Sequence, residues 1–171
     1  MVETVTLERG RPEQKAALEN LVQLYVHDFT DFLGPKRQID VGEDGRFPEM
    51  IALERYWNDK DRSVWFIRAD GALVGFALLN TVTHSGQPAD FNMAEFFVSR
   101  PYRGRAVADR AVVDLLHRHP GQWEVAILAR NVPAQRFWQR AIARANISAM
   151  ETLIEGDEPS RTLLRFVVAG K

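Results

Sequence analysis

The sequence predicts a mixed α/β domain, with one mostly antiparallel sheet of six to seven strands and helices on both faces. Three observations predict it. Runs rich in β-branched and aromatic residues alternate with segments whose apolar residues recur every three or four positions. An Asp70-Gly71 pair between two apolar runs marks a tight antiparallel hairpin. The 171 residues, 46% of them hydrophobic, suffice for one developed core and are too few for two ordinary enzyme domains. Residues 1–171 are therefore read as a single domain.

The elements follow in order. Val2 to Leu7 alternates apolar and polar residues and reads as a strand, after which Pro12 suits the first turn of a helix. In that helix Leu18, Leu21, Val22, Tyr25, Phe29 and Phe32 form one apolar face, and Gly34-Pro35 ends it. Residues 35 to 48 read as a surface loop before a short helical stretch over Pro48 to Tyr56. Ser63 to Arg68 and Ala72 to Asn80 are the two arms of the Asp70-Gly71 hairpin.

Asn92 to Ser99 is a further strand, apolar on both faces apart from Glu95, and so a central one. Gly104 to Arg118 carries a helical stripe of Val107, Ala108, Ala111, Val112, Leu115 and Leu116, closed by His119-Pro120-Gly121. Trp123 to Leu128 is another strand. Asn131 then reads as the N-cap of an amphipathic helix with Pro133 in its first turn. Ile147 to Ile154 and Arg161 to Val168 pair as a last hairpin across the Glu155 to Ser160 loop.

Composition excludes several classes of function. The 22 Lys and Arg against 23 Asp and Glu provide no global field that would recruit nucleic acid or an anionic membrane. The absence of cysteine removes disulfides, a thiolate nucleophile and most structural zinc sites, and no metal is expected. MVETVTLERG lacks the apolar stretch of a signal peptide, and no apolar run approaches the ~20 residues needed to span a bilayer, so a cytoplasmic protein is expected.

The stretch MAEFFVSRPYRGRAVA, residues 93 to 108, sets a buried strand directly before an Arg-Gly turn and a helix start. Such a turn offers unpaired backbone N–H groups and a helix dipole to an anion, and Arg103 and Arg105 can add charge. An Arg-Gly turn is common, and read alone these are solvated surface arginines. Asn131 and Trp138 follow one strand later and lie across the sheet from the turn if the two strands are neighbours.

Here the sequence resembles a family. VSRPYRGRAVA is similar to the V-x-P-x-Y-R-G-x-G-x-G/A stretch of the GNAT (GCN5-related N-acetyltransferase) superfamily, and RNVPAQRFW to the R-N-x-x-A-x-x-F/L-Y/W stretch that follows it. SVWFIRADGALVGFALL resembles the family's second and third strands, and LYVHDF, RFPEM and RYW resemble a group of uncharacterised predicted acetyltransferases. The resemblance implies a splayed fourth and fifth strand pair with acetyl-CoA as cosubstrate in the opening. It further implies that backbone groups of Phe97 and Val98 pair with the pantetheine arm, that the amides from Arg103 through Gly104, Arg105, Ala106 and Val107 to Ala108 hold the pyrophosphate, and that Asn131 contacts the arm or holds the end of the fifth strand.

The sequence departs from the family pattern at Ala106, at Trp138 and after the last helix, where the usual Gly-Phe is absent from AIARANIS. Glycine is usual at Ala106, where the backbone approaches the phosphates. Alanine is expected to take helical angles there and to weaken rather than abolish cofactor contact. Trp138 stands where many members have a tyrosine that protonates the departing thiolate, and its indole N–H is no useful acid. Trp138 is thus either a cofactor contact or a core aromatic, and the proton is left to solvent.

Glu95 is either the catalytic base for the attacking ammonium or a structural carboxylate paired with an arginine. Tyr25, His27 and Asp28, near the end of the first long helix, are the candidate acceptor contacts. His84 sits in a polar turn as a weaker one, and His117 and His119 straddle a helix C-terminus whose dipole favours imidazolium. The expected activity is direct transfer of acetyl from acetyl-CoA to an unidentified primary amine, on a small molecule or a peptide. The alternative is a catalytically inactive acyl-CoA-binding sensor or partner subunit, motivated by Ala106 and Trp138. A nucleic-acid-binding reading of the arginines in residues 100 to 110 needs a basic face that the balanced charge does not support. A homodimer through edge strands of the last hairpin is a further expectation.

Overall fold

The computed structural model describes residues 2–33, 37–147, 150–155 and 160–170. Its strands are β1 (Val5–Arg9), β2 (Ser63–Ala69), β3 (Ala72–Asn80), β4 (Phe91–Val98), β5 (Gly121–Leu128), β6 (Met150–Glu155) and β7 (Arg161–Val168). Its helices are α1 (Lys15–Phe29), α2 (Arg55–Asn58), α3 (Val107–Arg118) and α4 (Val132–Arg144). The strands form one seven-stranded sheet in the order β1-β2-β3-β4-β5-β7-β6. Neighbours are antiparallel except β4 and β5, which α3 joins as a crossover. The predicted mixed, mostly antiparallel sheet is thus the observed one. The expected helix end at Gly34-Pro35 and most of the last hairpin's loop lie outside the described residues.

Strand alternation divides the core into two layers. Val64, Phe66, Phe76, Leu78 and Phe97 face α1 and α2, where they meet Leu18, Val22, Val26 and Tyr56. Their neighbours Ile67, Ala77, Leu79, Met93 and Val98 turn to the other face and pack with Val107, Val112 and Leu115 of α3 and Trp138 and Ile142 of α4. β3 is buried on both faces from Val74 to Asn80, which explains why ALVGFALLN reads as a continuous apolar run. The hairpin turn is closed by positive φ at both Asp70 (48°) and Gly71 (83°), the requirement of a type I′ turn.

Several boundaries differ from the sequence expectation for identifiable reasons. β1 begins at Val5 rather than Val2 because the Asp70 carboxylate accepts the N–H groups of Glu3 and Thr4, at 3.1 and 2.8 Å, and takes them out of the strand ladder. The helical stretch predicted over Pro48 to Tyr56 shrinks to α2, preceded by i to i+3 turn bonds such as Arg55 N–H to Ala52 O at 3.2 Å. α3 starts at Val107 rather than Gly104, since Gly104 (φ 72°) and Ala106 (φ 59°) are both left-handed. His119 also differs: it is packed against Trp65, Phe91 and Trp123, and burial lowers its pKa, so the desolvated ring is held neutral despite the helix dipole.

Candidate active site

β4 and β5 are in register at only three positions, Phe91↔Trp123, Asn92↔Glu124 and Met93↔Val125, and beyond them the strands part. The remainder of β4 keeps its antiparallel partner on the other side, from Leu78↔Glu95 to Gly75↔Val98. Ser99 N–H donates to Val74 O at 2.8 Å, and the Phe97 carbonyl is turned onto Gly75. By strand alternation Phe96 and Val98 therefore direct their backbone groups into the split. One of them is already taken, because Arg103 Nε donates to the Val98 carbonyl at 2.7 Å. The sequence paired Phe97 with Val98 for this role; the register gives the outward position to Phe96, and Phe97 contributes a buried ring instead.

The turn after β4 is built from a 3₁₀ segment, Arg100–Tyr102, and the two left-handed residues Gly104 and Ala106. The first helical bond of α3 runs from Arg110 N–H to Ala106 O at 3.0 Å, which leaves the preceding amides of Val107, Ala108 and Asp109 without helical partners. Ala106 does not take the helical angles expected of it. A left-handed alanine costs roughly 1–2 kcal/mol, and the backbone here keeps the conformation that glycine would adopt freely.

Arg103 does not point unpartnered at this turn. Asp28 accepts from both Arg103 and Arg100, the latter at 3.2 Å, and burial of the Asp28 carboxyl is outweighed by these guanidiniums, so its pKa falls. Arg105 is exposed and makes no ion pair among the described residues.

Two adjoining basins occupy the split. The first, about 270 Å³, is lined by Glu95, His84, Val125 to Leu128 and Arg161. The second, about 670 Å³, runs past Phe96 to Val98, Arg103, Gly104, Ala106 and Ala108. Tyr25, Phe29, Phe96, Asn131, Ala134 and Trp138 line both and form the junction. Asn131 caps α4, its Oδ1 accepting Ala134 N–H at 3.1 Å, as the sequence predicted. Trp138 is 5% exposed and packs edge-on against Phe96, so it is a core aromatic whose rim reaches the junction.

Glu95 projects from β4 into the first basin. It is not paired with an arginine: the bond formed with it among the described residues is donated by the Tyr25 hydroxyl of α1. Burial raises its pKa to about 7, against which the Tyr25 bond acts downward. Tyr25, wedged among Phe29, Phe76 and Phe97, has its own pKa pushed well up by burial and by the Glu95 charge. Of the three predicted acceptor contacts, Tyr25 reaches the first basin and Asp28 lines the second. His27 is exposed, stands against Phe47 and lines neither.

The sequence missed a buried device behind the first basin. Glu124 accepts the N–H of His84 at 2.6 Å, the Ser85 hydroxyl and Arg165 Nη1 at 2.7 Å, and these bonds outweigh its burial and lower its pKa. Arg165 in turn donates to Pro88 O at 2.9 Å. The loop before β4 is thereby pinned with His84 on the basin wall. Arg140 and Arg144, on the exposed side of α4, also line the second basin and pair with Asp109 of α3 at 3.2 and 2.8 Å.

These features define an acetyltransferase architecture, and comparison with known proteins agrees. A model of the Acetyltransferase (GNAT) family matches residues 18–142, and the chain belongs to that family. Its fold is similar to a GNAT-family acetyltransferase from Streptococcus agalactiae, with a TM-score of 0.68 at 14% identity over 99% of this chain and 98% of that one. An acetyltransferase from Thermus thermophilus gives 0.68 at 15% identity, over 98% and 99%. Spermidine N-acetyltransferase from Vibrio cholerae, in complex with CoA and spermine, gives 0.61 at 11% identity, over 96% and 95%. Comparison with curated proteins gives no match. No described helix is long and apolar enough to cross a membrane.

Proposed function

We propose that this protein is an acetyl-CoA-dependent N-acetyltransferase that moves acetyl directly to a primary amine. The observation that carries the reading is Glu95: a carboxyl in the first basin, bonded to the junction residue Tyr25, free of any arginine among the described residues, with a pKa of about 7. A general base is most effective when its pKa lies near the working pH, since it is then ionised yet able to hold a proton. Glu95 takes the proton from the acceptor ammonium in the first basin.

The second basin suits acetyl-CoA, which supplies the acyl group as a thioester. Its fit rests on features of this chain: the open backbone of Phe96 and the Val98 N–H along the split, and the orphan amides of Val107 to Asp109 behind a glycine-like turn. In this reading the Val98 amide polarises the acyl oxygen, Gly104 and Ala106 let the phosphates approach, and Arg105, Arg140 and Arg144 supply positive charge. Phe96, Phe137 and Trp138 exclude water from the junction.

The alternative, an acyl-CoA-binding sensor without turnover, is favoured by the buried Trp138 in place of a proton donor. Calorimetric titration with acetyl-CoA, with ATP as control, followed by a panel of primary amines, separates the two. CoA-selective binding with product formation that Glu95→Gln lowers about 10²-fold or more supports the enzyme. Binding without product from any amine supports the sensor, and no binding ends both readings.

A further inference from the structure

If Glu95 takes a proton from the amine, another must reach the departing thiolate, and the position usual for the donor holds Trp138. The six residues common to both basins are where an acceptor in one and a thioester in the other would meet. Phe29, Phe96 and Ala134 carry no acidic proton. The Asn131 side-chain oxygen is engaged in capping α4, and neither its amide nor the indole of Trp138 is a useful acid. The Tyr25 hydroxyl remains, and its proton lies on the bond to Glu95.

We infer that Tyr25 is a catalytic acid of this reaction, delivering its proton to the leaving sulfur and regaining one from Glu95 along the hydrogen bond that joins them. The inference rests on the N-acetyltransferase reading above. Before reaction the hydroxyl donates to the ionised carboxylate. When Glu95 has taken the amine's proton, its carboxylic O–H can donate to the phenol oxygen instead, and the hydroxyl hydrogen is free to turn toward the second basin. The new N–C bond forms as the C–S bond breaks. The sulfur takes the electron pair and then the Tyr25 proton, while the proton held by Glu95 moves to the phenol oxygen. The acylated nitrogen, which still carries one proton too many, releases it to water in the first basin and leaves the neutral amide. The carboxylate and the phenol are both restored, and no phenolate accumulates, in keeping with a buried phenol whose pKa is raised.

The other titratable groups facing Glu95 do not offer this path. His84 and Arg161 line the first basin alone. Tyr56 of α2 is buried, its hydroxyl bonded to Asn80 at 3.1 Å, and lines neither basin.

Tyr25→Phe keeps the ring among Phe29, Phe76 and Phe97 and removes only the hydroxyl. The test compares wild type, Tyr25→Phe and Glu95→Gln, with 2-phenylethylamine and spermidine as probe acceptors. Two donors are used: acetyl-CoA, and S-acetyl-4-nitrothiophenol, whose acidic thiol departs without a proton. The expected result is that Tyr25→Phe loses about 10²-fold in kcat with acetyl-CoA but less than about 3-fold with the activated thioester, whereas Glu95→Gln loses activity with both. Equal losses of Tyr25→Phe with both donors, or no loss with acetyl-CoA, would overturn the assignment.

An infrared titration of the Glu95 carboxyl stretch, read against Glu95→Gln, tests the link without turnover. Since the Tyr25 bond lowers the Glu95 pKa, Tyr25→Phe should move the midpoint above about 7. An unmoved midpoint would overturn the relay. A raised midpoint in a protein that acetylates neither probe would uphold the link and count against the N-acetyltransferase reading alone.

Discussion

Glu124 of β5 and Arg165 of β7 face each other in register and form a fully buried ion pair, 2.7 Å from Oε2 to Nη1. Such a pair repays its desolvation poorly, and an apolar pair of similar volume is often as stable. What it does here is hold the 84–88 backbone, through His84 N–H, Ser85 and Pro88 O, against the first basin. Glu124→Gln should cost about 3–5 kcal/mol in urea denaturation, because it leaves Arg165 charged and half-satisfied. The double change Glu124→Leu with Arg165→Met should recover most of that stability. Hydrogen exchange at residues 84 to 87 should nevertheless remain faster than in wild type. Unchanged protection in the double variant would show that the loop needs no ionic anchor.

The raised carboxyl of Glu95 links rate and stability to pH with opposite signs. Activity should rise as pH passes through about 7, where the base ionises, and Glu95→Gln should lose that limb. Stability should fall over the same approach, since between the ordinary value of 4.5 and about 7 the folded protein binds more protons than the unfolded chain. The melting temperature of Glu95→Gln relative to wild type should therefore be higher at pH 8 than at pH 5. A pH-independent difference would mean that the carboxyl is solvated.

The turn after β4 can be tested residue by residue. Ala106→Gly relieves a left-handed strain of roughly 1–2 kcal/mol and adds back about 0.4–1 kcal/mol of unfolded-chain entropy, so its stability should equal or slightly exceed wild type. Ala106→Val, β-branched at the same angles, should lower it. Calorimetry decides both.

Gly104 is also left-handed, at φ 72°, and a Cβ added there meets nothing within 4 Å. Gly104→Ala should therefore cost only backbone strain of roughly 1–2 kcal/mol and leave acetyl-CoA affinity near wild type. Gly104→Glu should cost the same stability and weaken binding, because it sets an anion beside the phosphates. Equal affinities in these two variants would move the phosphate site elsewhere.

Gly75 has a structural reason to be glycine. A Cβ there would lie 2.1 Å from the Phe97 carbonyl oxygen, which is backbone and cannot rotate away. Gly75→Ala should destabilise the protein by about 1–3 kcal/mol or more, measured by thermal unfolding. It should also reduce acetyl-CoA affinity by displacing the part of β4 that borders the split. A neutral substitution would show that β3 and β4 are less closely coupled than the register indicates.

Local pattern was enough for much of the fold. The Asp70-Gly71 hairpin, the Asn131 cap with Pro133 in the first turn, and the stripes of α3 and α4 are set by turn chemistry and by spacing, which act within a few residues. Glu95 was legible as a carboxylate in an otherwise apolar strand, and the Arg-Gly segment as a turn before a helix start, because both signals are local. The left-handed Ala106 was not, since nothing in the identity of an alanine announces a positive φ that its neighbours impose.

The sequence by itself determined the succession of strands and helices, the position of the turn between β4 and α3, and the family. Only the tertiary structure decided that β4 and β5 part after three paired residues and that Phe96 rather than Phe97 opens into the gap. It also brought Tyr25, seventy positions away, to Glu95, and Glu124 to Arg165, forty-one positions on. The reason is physical: periodicity fixes which face of an element is apolar, but a hydrogen bond between distant residues depends on how two faces dock, and that geometry is a property of the packed whole.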